Sequence, residues 1–281
     1  MVEIREESGS GDEQPARDGN QQPQAGSSRQ SAPHLAPGRG LQASLIEFVK
    51  DDPFFSICSW LRILTLYFLL AYTLNSLGII SNKTSYSKAF AAAAATNAFR
   101  LHQRLRGTNN AFFSRDFLQQ LMLEDPAHYL LYSIAFISSA PVTMALFPIG
   151  IYALLHTASY VIKTAEVTGH SRSPFVVAVG QFRDRYTTTC LSTAAFTEVF
   201  LFPVMCAMIL MGKANFLFVF LYYRFLSLRW ASRRNPHTRL AFYNLKVSLF
   251  DVASKPACPN IVKQFIYQSV NLIQRLAPPI Q

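Results

Sequence analysis

Residues 216–236 read FLFVFLYYRFLSLRWASRRNP. The stretch begins as unbroken hydrocarbon, passes Tyr222 and Tyr223, and ends in Arg229, Trp230, Arg233 and Arg234. Aromatic rings followed by a basic cluster mark the level at which a chain leaves a bilayer: amphipathic rings settle among the headgroups, and Lys and Arg stay on the cytosolic side. These six residues are the expected membrane-interface anchors. Upstream of them, past a polar N-terminus, the chain reads as embedded; downstream it reads as lying on a surface.

Composition agrees. Of 281 residues half are hydrophobic and only 15% charged, with 23 Phe against 2 Trp. A soluble domain carries about 25% charged residues, so this chain lacks the polar surface to cover itself in water. The net charge is +10. Residues 1–53 are themselves acidic, so the remainder is more basic than the total suggests. Beside hydrocarbon segments, that charge points to anionic headgroups as partner, not to nucleic acid. Arg233, Arg234 and Arg239 face the same reading. Cys58, Cys190, Cys206 and Cys258 are scattered singly, with no CxxC pair and no histidines at metal spacing, so neither a disulfide framework nor a metal site nor any other cofactor is expected. The first forty residues lack the apolar run of a signal peptide.

Along the chain, 1–45 is expected to be a disordered polar segment: it is rich in Ser, Gly, Gln and Pro, too apolar-poor to offset ordering entropy. Residues 41–50 offer a short amphipathic turn or two. A helical membrane domain follows over 46–230, and a basic, cytosolic, amphipathic helical tail over 231–281. Asp52-Pro53, Asp125-Pro126, Ser173-Pro174, Asn235-Pro236 and, with a poorer cap, Cys258-Pro259 read as helix starts, a capping side chain followed by a Pro at the first helical position. Residues 54–80 are long enough to cross a core about 30 Å thick, with Arg62 near one end expected to snorkel. Residues 85–99 carry the run Ala91 to Ala95, a small-residue face for close packing, and Arg100, Arg104 and Arg106 are expected to stop it. Residues 112–124 suit an amphipathic helix. Pro141 and Pro148 break 128–161 into either one kinked span or a shallow hairpin. A surface helix over 173–186 and a span over 191–211, interrupted by Glu198 and Pro203, precede the turn at Gly212-Lys213. Basic segments at 81–127, at 162–187 and in the tail favour hairpins that enter and leave on one side over a series of single spans. A four-span arrangement breaks the positive-inside rule only once. Asn82-Lys83-Thr84 is a glycosylation sequon usable only if its loop is lumenal. The fold class expected is therefore an all-α integral membrane protein, multi-pass, with embedded helices or hairpins, C-terminal amphipathic helices and a disordered N-terminus.

In the tail, Val262, Phe265, Ile266, Ser269, Leu272, Ile273 and Leu276 recur at helical spacing, with Lys263, Gln264, Tyr267, Gln268, Asn271, Gln274 and Arg275 opposite. Such a helix lies in the headgroup plane or packs on the protein's own cytosolic face. No acid–base pair stands at close spacing: His102, His156, His170 and His237 lack a near acid, and Asp125, three residues before His128, reads as a cap. No enzyme is expected. Glu198 and Arg224 are the candidate intramembrane pair; two lone charges fit a structural contact better than a pore.

Several strings then become specific. LHQRL at 101–105, LED at 123–125 with HYLLYS at 128–133, and PVTM at 141–144 with Phe147-Pro148 stand in that order. YYRFL at 222–226, SRRNP at 232–236, KPACP at 255–259 and RLAP at 275–278 follow. Together they resemble the transmembrane protein 33 family, also called Krüppel homolog 2, related to fungal pore-membrane proteins of the nuclear envelope. The likeness runs from about Phe54 to the C-terminus; the N-terminal fifty residues fall outside it and are longer than the family pattern. The resemblance implies a protein of the endoplasmic reticulum membrane and nuclear envelope. It implies a scaffold that organises curved membrane with reticulon-type tubule shapers and nuclear pore components as partners, or a regulatory subunit of a channel or of the ER stress response. It carries over no catalytic residue and no zinc finger.

Overall fold

A computed structural model of the protein describes residues 41–79, 84–106, 117, 121–137, 139–232, 235–256 and 258–276. The sequon residues Asn82 and Lys83, the anchors Arg233 and Arg234, most of the segment 112–124 and the polar segment 1–40 lie outside the described residues. The described chain is helical, with no strand among the described residues. Its helices are α1 (Leu41–Asp51), α2 (Pro53–Ser76), α3 (Ser85–Leu105), α4 (Asp125–Ile137), α5 (Leu146–Val167), α6 (Pro174–Leu210), α7 (Phe216–Ala231), α8 (Pro236–Ser254) and α9 (Asn260–Leu276). A short 3-10 turn, Thr143–Ala145, leads into α5.

A helix begins within two residues of each start signal, and Asp52 and Asn235 cap theirs with a side chain. Phe55 N–H donates to Asp52 Oδ1 at 3.0 Å ahead of Pro53. Asn235 accepts from the His237 backbone N–H at 3.2 Å beside Pro236. Ser173 precedes Pro174 without a side-chain cap bond. Asp125 is instead the first residue of α4, and its carboxylate is spent on tertiary partners described below. The last signal is displaced slightly: α9 begins at Asn260, one residue past Pro259. α2 and α6 stop at Gly78 and Gly212, which take positive φ of 75° and 68°. There Ile79 N–H reaches back to Leu74 O and Lys213 N–H to Met208 O, the six-to-one closure that only a left-handed residue permits cheaply.

Among the described residues three segments are long and apolar enough to cross a membrane: Pro53–Ser76, Thr143–Val167 and Pro174–Leu210. The first, at 24 residues, extends about 36 Å at 1.5 Å per residue, enough for a core of roughly 30 Å. α7, at 16 residues, reaches only about 24 Å. It cannot cross such a core alone; it packs on α4 and α6 and leaves Phe216, Leu217 and Phe220 exposed.

Four expectations are corrected here. The surface helix at 173–186 and the span at 191–211 are one uninterrupted helix, α6, which runs through both Glu198 and Pro203. Arg100 and Arg104 do not stop α3 but sit on its last two turns. Pro141 separates two helices, α4 and α5, whereas Pro148 stands in the first turn of α5, where a missing N–H is harmless. Arg62 does not snorkel: it is 6% exposed and faces the bundle interior.

α3 packs between α2 and α4, with Ala89, Ala92 and Ala93 at the seams; small side chains let these backbones approach. α5 packs on α2 and α6, α7 on α4 and α6. The centre is aromatic. Phe90 stacks on Phe136 at 5.5 Å, and Tyr132 meets Phe136 at 4.7 Å and Phe225 at 4.9 Å. Phe218 meets Phe136 edge-on at 5.3 Å. Outward-facing Trp60, Tyr67 and Leu70 on α2, and Phe200 and Val204 on α6, are exposed apolar residues, as lipid-facing surfaces require. α8 packs on α6 through a face that includes buried Thr238 and Ala241, and α9 packs on α8.

Candidate functional site

Polar side chains from five helices converge where α4 begins and α7 ends. Glu198, fully buried on α6, accepts from the Tyr129 hydroxyl through Oε1. Its Oε2 accepts from Arg229 Nε at 3.3 Å, and its backbone carbonyl from the Tyr222 hydroxyl at 2.7 Å. Arg229, 2% exposed, spreads its remaining donors to Tyr152 Oη at 2.9 Å and to Asp125 Oδ1 at 3.4 Å. Its guanidinium also lies 4.9 Å from the Tyr129 ring centre. Ser232 donates to the same Asp125 oxygen at 3.2 Å. Arg239 of α8 caps the end of α7 by donating to Ser232 O at 2.9 Å. A buried charge survives only when paired and hydrogen-bonded. Here one guanidinium serves two carboxylates and a phenol, so α4, α5, α6 and α7 are tied at one point.

This arrangement revises the expected pair. The partner of Glu198 is Arg229, five residues beyond Arg224, and Arg224 is exposed. Of the expected interface anchors, Tyr222 and Arg229 are buried inside the bundle instead. Trp230 is half-buried against the Phe242 ring at 5.2 Å. Tyr223 is half-buried and its ring lies 6.5 Å from that of Phe202. The sequence pattern located the polar end of α7 but not which of its residues turn inward, because Arg224 and Arg229 lie on different faces of one helix.

Beside this network is a cavity of about 310 Å³. Its wall carries Arg62 from α2, Arg100 and Arg104 from α3, Asp125 from α4, His156 from α5 and Arg229 from α7. Arg104 pairs with Glu124, and Arg100 Nη1 stands 3.3 Å from His156 Nε2. Reading Arg62 as a snorkelling side chain missed this site. The available signal was three arginines, Arg62, Arg100 and Arg104, on two helices that pair as a hairpin.

In the tail, α9 meets α8 along one edge only. Ile266 and Val270 are buried against Ala253, Leu249 and Phe250. The expected apolar residues Val262, Phe265, Leu272 and Ile273 are exposed, as is Ile261 at 83%; the side chain of Leu276 lies outside the described residues.

The chain matches the family model described as Transmembrane protein 33/Nucleoporin POM33 over residues 39–279. It is 40% identical to the Transmembrane protein 33 homolog of Caenorhabditis elegans over 238 residues, covering 85% of this chain and 87% of the relative. The chain belongs to the transmembrane protein 33 family. Human Transmembrane protein 33 is likewise 40% identical, over 85% of this chain and 95% of its own length. Krueppel homolog 2 of Drosophila melanogaster is 32% identical over 86% of each chain. No solved structure matches. Membership and the three long apolar segments together make this an integral, all-α membrane protein. The likeness begins at residue 39, two residues before α1, so the family's shared part coincides with the helical body.

Proposed function

We propose that the protein is a non-enzymatic organiser of curved membrane in the endoplasmic reticulum and nuclear envelope, and a scaffold for membrane-shaping proteins of the reticulon type and for nuclear pore components. The observation that carries this reading is the uncovered apolar side of α9. Phe265 is 69% and Leu272 58% exposed, on a helix that also carries Lys263 and Arg275. Each such side chain moved from water into the acyl boundary contributes about 1.5–3 kcal/mol, and each nearby cation about 1 kcal/mol over anionic lipid. A helix inserted on one side of a bilayer fills curved, loosely packed leaflets more readily than flat ones. The word Nucleoporin in the family description supports a place at the pore membrane.

The test is full-length protein reconstituted in giant vesicles from which a narrow membrane tube is drawn. Wild type is expected to enrich in the tube relative to the flat surface, and Phe265→Asp with Leu272→Asp to abolish that enrichment without lowering the melting temperature. Equal density on tube and flat membrane for wild type overturns the proposal.

A further inference from the structure

The cavity between α2, α3 and α5 has a charge imbalance that the fold does not resolve. Among the described residues its wall holds Arg62, Arg100, Arg104 and Arg229 against one carboxylate, Asp125. Two of the four cations are answered. Arg229 is held by Glu198 and Asp125, and Arg104 by Glu124. Asp125 is already shared between Arg229 and Ser232. Among the described residues Arg100 forms no ion pair: its hydrogen-bond partner is the imidazole of His156 at 3.3 Å, and Asp125 acts on it only at longer range. Arg62 is 94% withdrawn from solvent, being 6% exposed, and no hydrogen-bond acceptor or carboxylate engages it among the described residues. An unpaired guanidinium buried this deeply costs several kcal/mol unless an anion meets it.

We infer that this cavity binds a phosphate monoester, with Arg62 and Arg100 as its principal ligands. Three features converge on that chemistry. Two guanidinium groups without an ion-pair partner among the described residues match the double negative charge of a monoester better than the single charge of a diester, and planar guanidinium forks suit phosphate oxygens bidentately. At about 310 Å³ the space lies within the range of small-ligand sites, roughly 300–1,000 Å³. The side chain of Arg104, 37% exposed, stands one turn beyond Arg100 on α3 and brings a partly exposed cation to the same wall. Arg62 itself lies nine residues into α2, about 14 Å from the helix start at 1.5 Å per residue. A lipid headgroup such as that of phosphatidic acid and a soluble phosphate share this recognition chemistry. The inference stands independently of what α9 does.

Native mass spectrometry of the full-length protein in neutral detergent tests it, with phosphatidic acid, phosphatidylcholine and inorganic phosphate as probes. Phosphatidic acid is expected to bind at least tenfold tighter than phosphatidylcholine. Arg62→Gln and Arg100→Gln are each expected to weaken it tenfold or more, while Arg224→Gln, an exposed cation outside the cavity, leaves it unchanged. Competition by millimolar inorganic phosphate assigns the site to a soluble source; phosphatidic acid binding that phosphate does not displace assigns it to lipid. Should the glutamine variants fail to fold, hydrogen exchange on wild type replaces them: the last turns of α3, residues 97–105, are expected to gain protection when phosphatidic acid or phosphate is added. No preference for phosphatidic acid together with no binding of phosphate, retained binding in both folded variants, or unchanged exchange in α3 overturns the inference.

Discussion

Glu198→Gln is the most direct probe of how this bundle is held. The substitution keeps the size and polarity of the side chain but removes its charge, leaving Arg229 at 2% exposure with Asp125 at 3.4 Å as its remaining anion. Breaking one partner of a buried pair costs about 3–5 kcal/mol. The Tyr129 hydroxyl, which donates to the same carboxylate, loses a charged acceptor as well, but the two effects share one network and do not add. At about 2–4 °C per kcal/mol for a chain of this size, the melting temperature should fall by roughly 6–20 °C. The assay is thermal unfolding of the full-length protein in detergent, followed by intrinsic fluorescence. Arg229→Gln should fall by a similar amount. A double variant, Glu198→Leu with Arg229→Met, should recover part of the loss because neither charge is left stranded. Arg224→Gln, at an exposed position, should stay within about 0.5 kcal/mol of wild type. A Glu198→Gln protein melting within about 2 °C of wild type, or an Arg224→Gln protein falling as far as Arg229→Gln, would refute the assignment of the pair.

Two further outcomes test the packing and the helix starts. Tyr132→Phe keeps the ring among Phe90, Phe136 and Phe225 but removes the hydroxyl that donates to Ala145 O at 2.7 Å; a loss of about 0.5–1.5 kcal/mol is expected, read as a small downward shift of the same melting curve. Asp52→Ala removes the acceptor for Phe55 N–H and should cost about 0.5–2 kcal/mol, with faster hydrogen exchange confined to the first turn of α2, while Asp52→Asn should be close to neutral.

The helix starts were legible in the sequence because they are local: a capping side chain followed by Pro states its own geometry, and Asp52-Pro53 and Asn235-Pro236 needed no tertiary information. The exception is instructive. Asp125 has the same local pattern, yet its carboxylate is taken by Arg229 and Ser232, more than a hundred residues away, and no local reading reveals that. The continuity of α6 was hidden for a related reason. Glu198 and Pro203 look like interruptions, but Glu198 is fully paired by Tyr129 and Arg229, and a Pro within a membrane helix is tolerated when its surroundings satisfy the freed carbonyl. The aromatic and basic residues of 216–236 read as an interface belt, whereas Tyr222 and Arg229 turn into the bundle. An interface belt and a buried aromatic core draw on the same residue types, and only the neighbours α4 and α6 decide that Tyr222 and Phe225 turn inward. The tail's spacing predicted its apolar face, but not that α8 would cover only the edge at Ile266 and Val270.

The intramembrane charges of this chain fall into two kinds, and the distinction carries functional weight. Arg229 is over-supplied: two carboxylates, a phenol and an aromatic face converge on it, and such a group serves to fix helices in register. Arg62 is under-supplied, equally withdrawn from solvent yet engaged by no acceptor among the described residues. If both were structural, the cheaper protein would replace Arg62 with a neutral side chain, because a buried charge without a counter-ion lowers stability and returns nothing to the fold. Its position beside Arg100 on the wall of one cavity is the arrangement that stability alone would remove and that recognition of a phosphate requires.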